Sequence, residues 1–314
     1  MERDDMFLTP NIGKPDRRVG YFRDDESFRH FARAYRDGMA ELPPAEETIT
    51  VRTSFGWARA YRFGHGTGEP LVLISGRQAS TPMWRANLAS LLGNRAVWSI
   101  DTIGEPGASV QTAPITQPRE HAHWLDDTLG QLGLHRVHLM GVSIGGWLAT
   151  WQAIHRPDRL ASIILLDPMS TFAPFTWKMV AVSIGSVVPA MPASLRHRLL
   201  SWISGGARSS DELPEGRLIA AGMRDYVGAH ALPRRPSTEE LAAISIPVLA
   251  ILAGRSIVHD PRRAATRAAV IPTAQVEVWP NASHAINGEF PEEIAERVID
   301  FIAGPNGPSV TPAE

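Results

Sequence analysis

The chain contains no cysteine among its 314 residues. That excludes a disulfide framework, a thiolate nucleophile and any metal site built on Cys. Lysine is almost absent as well: Lys14 and Lys178 are the only two, and the basic residues are otherwise arginine. A formal net charge of −2 provides no broad basic field, so neither nucleic acid nor an anionic membrane is expected as a partner. No apolar run reaches the ~18 residues of a membrane span. The nearest, around Met179 to Met191, is shorter and is broken by Gly185 and Pro189. The start, Met-Glu-Arg-Asp-Asp, has neither the basic opening nor the apolar run of a secretory signal. A cytoplasmic location is therefore expected, and nothing in the sequence sets the oligomeric state.

With 44% hydrophobic and 20% charged residues, a chain of this size can bury a full core without covalent staples. The apolar pattern changes period along it. Residues 24–41 predict a helix, because Phe28, Phe31 and Tyr35 fall on one face at i, i+3 and i+7; Pro43 and Pro44 then stop it. Thr48 to Arg52 and Trp57 to Phe63 alternate, which predicts a hairpin turning near Gly56. Leu71–Ile74 is a solid apolar run, and further strands are expected at Ala96–Ile100, Val137–Met140, Ile163–Leu166, Val248–Leu252 and Val276–Trp279. Such runs suit strands buried on both faces. Helical stretches lie between them, including one capped by Thr81 before Pro82 and a last one from Pro291 to Ile302, closed by Gly304. Strand–helix alternation of this kind predicts an α/β fold with a doubly wound, mostly parallel sheet.

One interval breaks the rhythm. Residues 168–240 show no convincing strand and are too long for a loop, so they are expected to form a helical cap inserted between two strands. Its aromatic cluster Phe172, Phe175 and Trp177 is a candidate substrate-binding surface. The remaining division is an N-terminal extension with one helix (1–45), a core (46–167 and 241–304) and a flexible tail (305–314).

The sharpest motif is Gly141-Val142-Ser143-Ile144-Gly145, a G-x-S-x-G pentapeptide between a strand and a helix. In that context it reads as a nucleophile elbow, with Ser143 exposed above the sheet. A serine hydroxyl needs a base at neutral pH. Of the eleven histidines, His284 stands in the loop after the last strand and before the last helix, on the carboxyl edge that also carries the elbow. An oxyanion formed at Ser143 needs backbone N–H donors. The candidates are Ile144, directly after the serine, and Arg77 in the Ser75-Gly76-Arg77-Gln78 loop. The strand-end loop from Asp101 to Ser109 reads as structural support.

These segments together resemble the α/β-hydrolase superfamily, in its chain order, over about residues 48–303: the elbow, the Ser75-Gly76 loop, Asp101-x-x-Gly104-x-x-Gly107-x-Ser109 and the His284 loop. A nearer resemblance is to bacterial carboxylesterases of the naproxen-esterase (carboxylesterase NP) type, which also carry an aromatic N-terminal helix before a segment like Thr53-Ser54-Phe55-Gly56. The resemblance implies ester hydrolysis of a small-molecule substrate, with no cofactor and no metal. It also exposes a departure. The family usually places Asp or Glu in the loop after the Val248–Leu252 strand, and here the matching position is Ser256. Two carboxylates are left. Asp167 ends the strand after the elbow helix, where some superfamily members, including certain haloalkane dehalogenases, carry their acid; Asp260 precedes a helix and suits a capping role. Asp167 is the preferred acid, with Asp260 the alternative.

The expected activity is hydrolysis of an apolar carboxylic ester through an acyl-enzyme on Ser143. The same residues could serve thioester, lactone, amide or carbon–carbon bond hydrolysis, or perhydrolysis. The vacancy at Ser256 also keeps open a non-catalytic binding protein on this fold.

Overall fold

A computed structural model describes residues 6–15, 18–177, 179, 213–229 and 233–304. The expected tail at 305–314 and most of the expected cap, residues 180–212, lie outside the described residues.

Strand β1 (Tyr21–Phe22) leads into helix α1 (Asp25–Ala40). Asp24 caps α1 by accepting from the Ser27 N–H, and Phe31 and Tyr35 are buried on its inner face. The hairpin β2 (Glu47–Thr53) and β3 (Gly56–Phe63) pairs antiparallel as its alternation predicts. Then come β4 (Gly68–Ile74), α2 (Arg85–Leu91), β5 (Arg95–Ile100), the short β6 (Val110–Gln111), α3 (Pro118–Gln131), β7 (Val137–Val142), α4 (Ile144–His155) and β8 (Leu160–Leu166). Beyond the cap interval lie α5 (Pro214–Asp225), β9 (Tyr226–Val227), α6 (Thr238–Ala242), β10 (Val248–Ala253), α7 (Pro261–Ala268), β11 (Ala274–Trp279), α8 (Ile286–Glu289) and α9 (Pro291–Ala303).

The nine-stranded sheet runs in the order β11-β10-β8-β7-β4-β5-β3-β2, with β6 paired to β3. The six strands from β5 to β11 are mutually parallel, and every residue of β7, β8 and β10 is buried. That is why these strands are predominantly apolar. From β4 the chain moves one way to β5, then returns to place β7 on the other side of β4. The carboxyl ends of β4 and β7 therefore form a switch point, where crevices open in such sheets.

Two local expectations are corrected. Thr81 is not a cap: Ser80 occupies that position of a short 3₁₀ turn, and the Thr81 hydroxyl instead donates to Asp101. The interval 168–240 is not free of strand, because β9 pairs antiparallel with β1, about two hundred residues away in sequence. Among the described residues, no helix is long and apolar enough to cross a membrane.

Candidate active site

The register of β4, β7, β8, β10 and β11 brings their carboxyl ends level. Ile74 pairs with Gly141, Val142 with Leu166, Leu166 with Ile251 and Ala253 with Trp279. The ladder continues one step past the strands: the Ser143 N–H donates to Leu166 O at 3.0 Å, and the Asp167 N–H to Ile251 O at 2.8 Å. Ser143 and Asp167 are thus fixed by backbone bonds on neighbouring strands before their side chains are considered.

Ser143 sits at φ 55°, ψ −116°, a conformation that costs a non-glycine residue roughly 1–3 kcal/mol. The glycines on either side make the turn possible. A Cβ at Gly141 would meet Gly145 backbone at 2.2 Å, and one at Gly145 would meet Ile74 O at 2.2 Å. The elbow turns β7 directly into α4, leaving the Ile144 N–H in the first helical turn, where backbone donors have no partner inside the helix. Ser143 itself is only 9% exposed, so it lies within the mouth of the site and not on open surface.

His284 joins this serine to a carboxylate. Its Nε2 lies 2.9 Å from Ser143 Oγ and its Nδ1 lies 2.6 Å from Asp167 Oδ2. With the ring proton on Nδ1, His284 donates to Asp167 and accepts the Ser143 hydroxyl. The loop bearing His284 is held from both sides: Ser283 donates through N–H and hydroxyl to Glu289, and the Arg255 N–H donates to Ala282 O at 2.9 Å.

Asp167 is fully buried and sits at φ 41°. Its Oδ1 accepts the Ala253 N–H at 3.0 Å, and its Oδ2 accepts the Ser256 hydroxyl at 2.7 Å as well as His284. The site where the family's acid would stand therefore holds a donor to the acid supplied by another strand. His259, also buried, places Nε2 3.0 Å from Asp167 Oδ1. Burial alone would push the Asp167 pKa up; the His259 imidazole foremost, with the hydrogen bond from His284, outweighs burial and holds it well below the usual carboxylate range. Asp260, by contrast, accepts the Arg263 N–H at 2.8 Å as the cap of α7 and is exposed.

The loop after β4 passes the serine, with a Cβ at Gly76 falling in ordinary contact, 3.7 Å, with Ser143 Cβ. Buried Glu105 braces this loop. It accepts the Gln78 N–H at 2.9 Å and lies 3.7 Å from the Arg77 guanidinium. The support role expected for the Asp101–Ser109 loop is visible in Asp101, whose carboxylate accepts from Thr81, from the Ala108 N–H and from Tyr35 of α1. The aromatic N-terminal helix is thereby tied to the core.

A cleft partly open to solvent is lined by Arg77, Ile144, Trp147, Ile115, His121 and Arg234. The aromatic trio expected to line the substrate site does not line this cleft. Phe172 is buried in the core beside the sheet, Phe175 packs against that core, and Trp177 is 76% exposed. Phe172 follows the left-handed residue Ser170, so the chain turns it inward.

A sequence model of the alpha/beta hydrolase family matches residues 71–297. The chain belongs to the α/β-hydrolase family. Among curated α/β-hydrolases it is 26% identical over 290 residues to the carboxylesterase nap of Bacillus subtilis, covering 90% of this chain and 95% of that protein. It is 27% identical to the carboxylesterase YbfK of the same organism, over 89% of this chain and 95% of that one. The crystal structure of B. subtilis naproxen esterase (carboxylesterase NP) superposes with a TM-score of 0.80 at 25% identity, covering 88% of this chain and 98% of that chain.

Sequence reasoning did not single out His259 or Glu105. A buried histidine and a buried glutamate are rare enough to be informative once burial is known, but both stand in strand-end loops whose path no periodicity reveals.

Proposed function

We propose that this α/β-hydrolase is a serine carboxylesterase acting on a small, largely apolar ester. The observation that carries the reading is His284, which bridges Ser143 Oγ and a buried carboxylate through its two ring nitrogens. In this mechanism Ser143 attacks the ester carbonyl while His284 takes its proton. The N–H groups of Ile144 and Arg77 receive the developing oxyanion. Collapse expels the alcohol, which takes the proton back from His284. Water then repeats the sequence on the acyl-enzyme, so the cycle needs no cofactor. Asp167 fixes the His284 tautomer and stabilises the imidazolium formed at each attack.

The similarity to carboxylesterases over about nine-tenths of the chain supports ester over other acyl substrates. The cleft beside Arg77 and Ile144 is lined by Ile115, Trp147 and Leu148 as well, an apolar wall that suits an apolar acyl or alcohol group. Residues 168–240 would cover this edge as a cap. Both ends of that segment meet near the elbow helix, where the Ser170 hydroxyl donates to Pro233 O and Trp147 Nε1 donates to Arg234 O. A cytoplasmic enzyme fits the sequence.

The test is turnover of p-nitrophenyl esters of graded acyl length by the wild type and by Ser143→Ala, with folding of the variant checked by its thermal melt. The wild type is expected to hydrolyse short to medium acyl chains, and the variant to lose several orders of magnitude. A folded variant retaining more than a few per cent of turnover would end the serine mechanism.

A further inference from the structure

Asp167 is shared between two imidazoles, one on each carboxylate oxygen. His284 Nδ1 lies 2.6 Å from Oδ2, and His259 Nε2 lies 3.0 Å from Oδ1. Only the first belongs to the reaction proposed above. His259 is 1% exposed and does not reach Ser143's side of the carboxylate.

The physical problem lies in the resting state. A base must be neutral to accept a proton, so His284 supplies no charge to Asp167 before attack. The carboxylate is nonetheless completely buried, and a buried charge without a counter-charge is strongly destabilising. The hydrogen bonds from the Ala253 N–H and the Ser256 hydroxyl satisfy lone pairs but provide no net positive charge. The His259 contact is of another kind. It is short, yet the ring is turned off the line of a hydrogen bond to Oδ1. Opposite charges tolerate such geometry, because Coulomb attraction depends on distance more than on angle.

We propose that His259 is the resident counter-ion of Asp167: a positioning residue that keeps the carboxylate ionised and in place while His284 remains free to act as base. The charged groups acting on His259, among the described residues, are Asp167 at the end of β8 and Asp260 at the start of α7, with His284 on the far side of Asp167. Burial of the ring opposes its protonation, but the two carboxylates outweigh burial and raise its pKa above 6.5. The same loop therefore carries the donor Ser256 and the cation His259 in place of the family's acid. The acid stands at the end of β8, and its supports stand in the loop after β10.

The stability consequence has a definite sign. A histidine whose pKa is raised by folding contributes stability that is full below about pH 6.5 and is lost as pH rises through its folded value. There is also a kinetic consequence. Without the cation on its other oxygen, Asp167 is held less firmly against His284, so kcat is expected to fall about 10-fold with KM unchanged.

The experiment uses the full chain and the variant His259→Gln. Long-range ¹H–¹⁵N spectra of the wild type assign the His259 ring by the cross-peaks missing from the variant. Both ring nitrogens are expected to be protonated at pH 6.5, with titration only above it; a ring that is neutral at pH 6.5 would overturn the proposal. Thermal melts of the two proteins are expected to differ most below pH 6.5 and to converge toward pH 9. A pH-independent difference in melting, or a kcat unchanged in His259→Gln, would reduce His259 to a packing residue. If the glutamine variant does not fold, His259→Asn provides the missing cross-peaks and the melts in its place. The kinetic arm rests on the serine mechanism proposed above; the spectra and melts do not, so loss of that mechanism and loss of this proposal are separable.

Discussion

Two loops at the same sheet edge, after the neighbouring strands β8 and β10, offer the α/β-hydrolase a carboxylate. The loop after β8 presents Asp167 at the last ladder bond, buried, with both oxygens occupied. The loop after β10 presents Asp260, exposed and spent on capping α7. The family's usual loop for the acid is the second one. What decides between them is reach and desolvation: a carboxylate can orient His284 only from within hydrogen-bond distance, and its charge acts strongly only where water is excluded.

The largest expected effect comes from breaking the first loop. Asp167→Asn should lower turnover about 10⁴-fold, as loss of a triad acid does, while Asp260→Asn leaves kcat within about twofold, since capping does not touch the reaction. Steady-state kinetics on one ester separates the two, and the reverse ranking would give the role to Asp260. The comparison is sharpened by moving the acid back. Ser256 Oγ already lies 2.7 Å from Asp167 Oδ2, so Asp167→Asn with Ser256→Asp should recover on the order of 10²-fold of the lost turnover. No recovery would mean that the β10 loop no longer aims at His284. Ser256→Ala removes one hydrogen bond to the charged carboxylate and should cost about 10-fold in kcat with KM unchanged; a change in KM alone would place Ser256 against substrate instead. Smallest, and confined to stability, is Asp260→Ala. Loss of the cap should cost about 1 kcal/mol, read as a lower urea midpoint with an unchanged slope.

The same contrast explains what was legible in the sequence. The strands were, because burial on both faces leaves solid apolar runs such as Ile163–Leu166. Ser143 was, because the elbow's glycines are demanded by contacts of 2.2 Å. Asp167 was readable because it directly ends a strand, whose neighbour and register are set by the fold. His259 was not, since its approach to Asp167 depends on the path of an irregular loop. The trio Phe172, Phe175 and Trp177 shows the limit of composition: aromatic content does not tell which ring is buried, as Phe172 is, and which is exposed, as Trp177 is. The β1–β9 pair joins residues too far apart for any local pattern to signal.

The measurement that bears most directly on the account is mapping of a fluorophosphonate adduct by peptide mass spectrometry. An unactivated serine does not react, so labelling reads the Ser143–His284–Asp167 chain as a working unit. The account predicts one label per chain, on the peptide containing Ser143, with labelling abolished by His284→Ala and strongly slowed by Asp167→Asn. Absence of label on the folded wild type, or a label on any other serine, would contradict it.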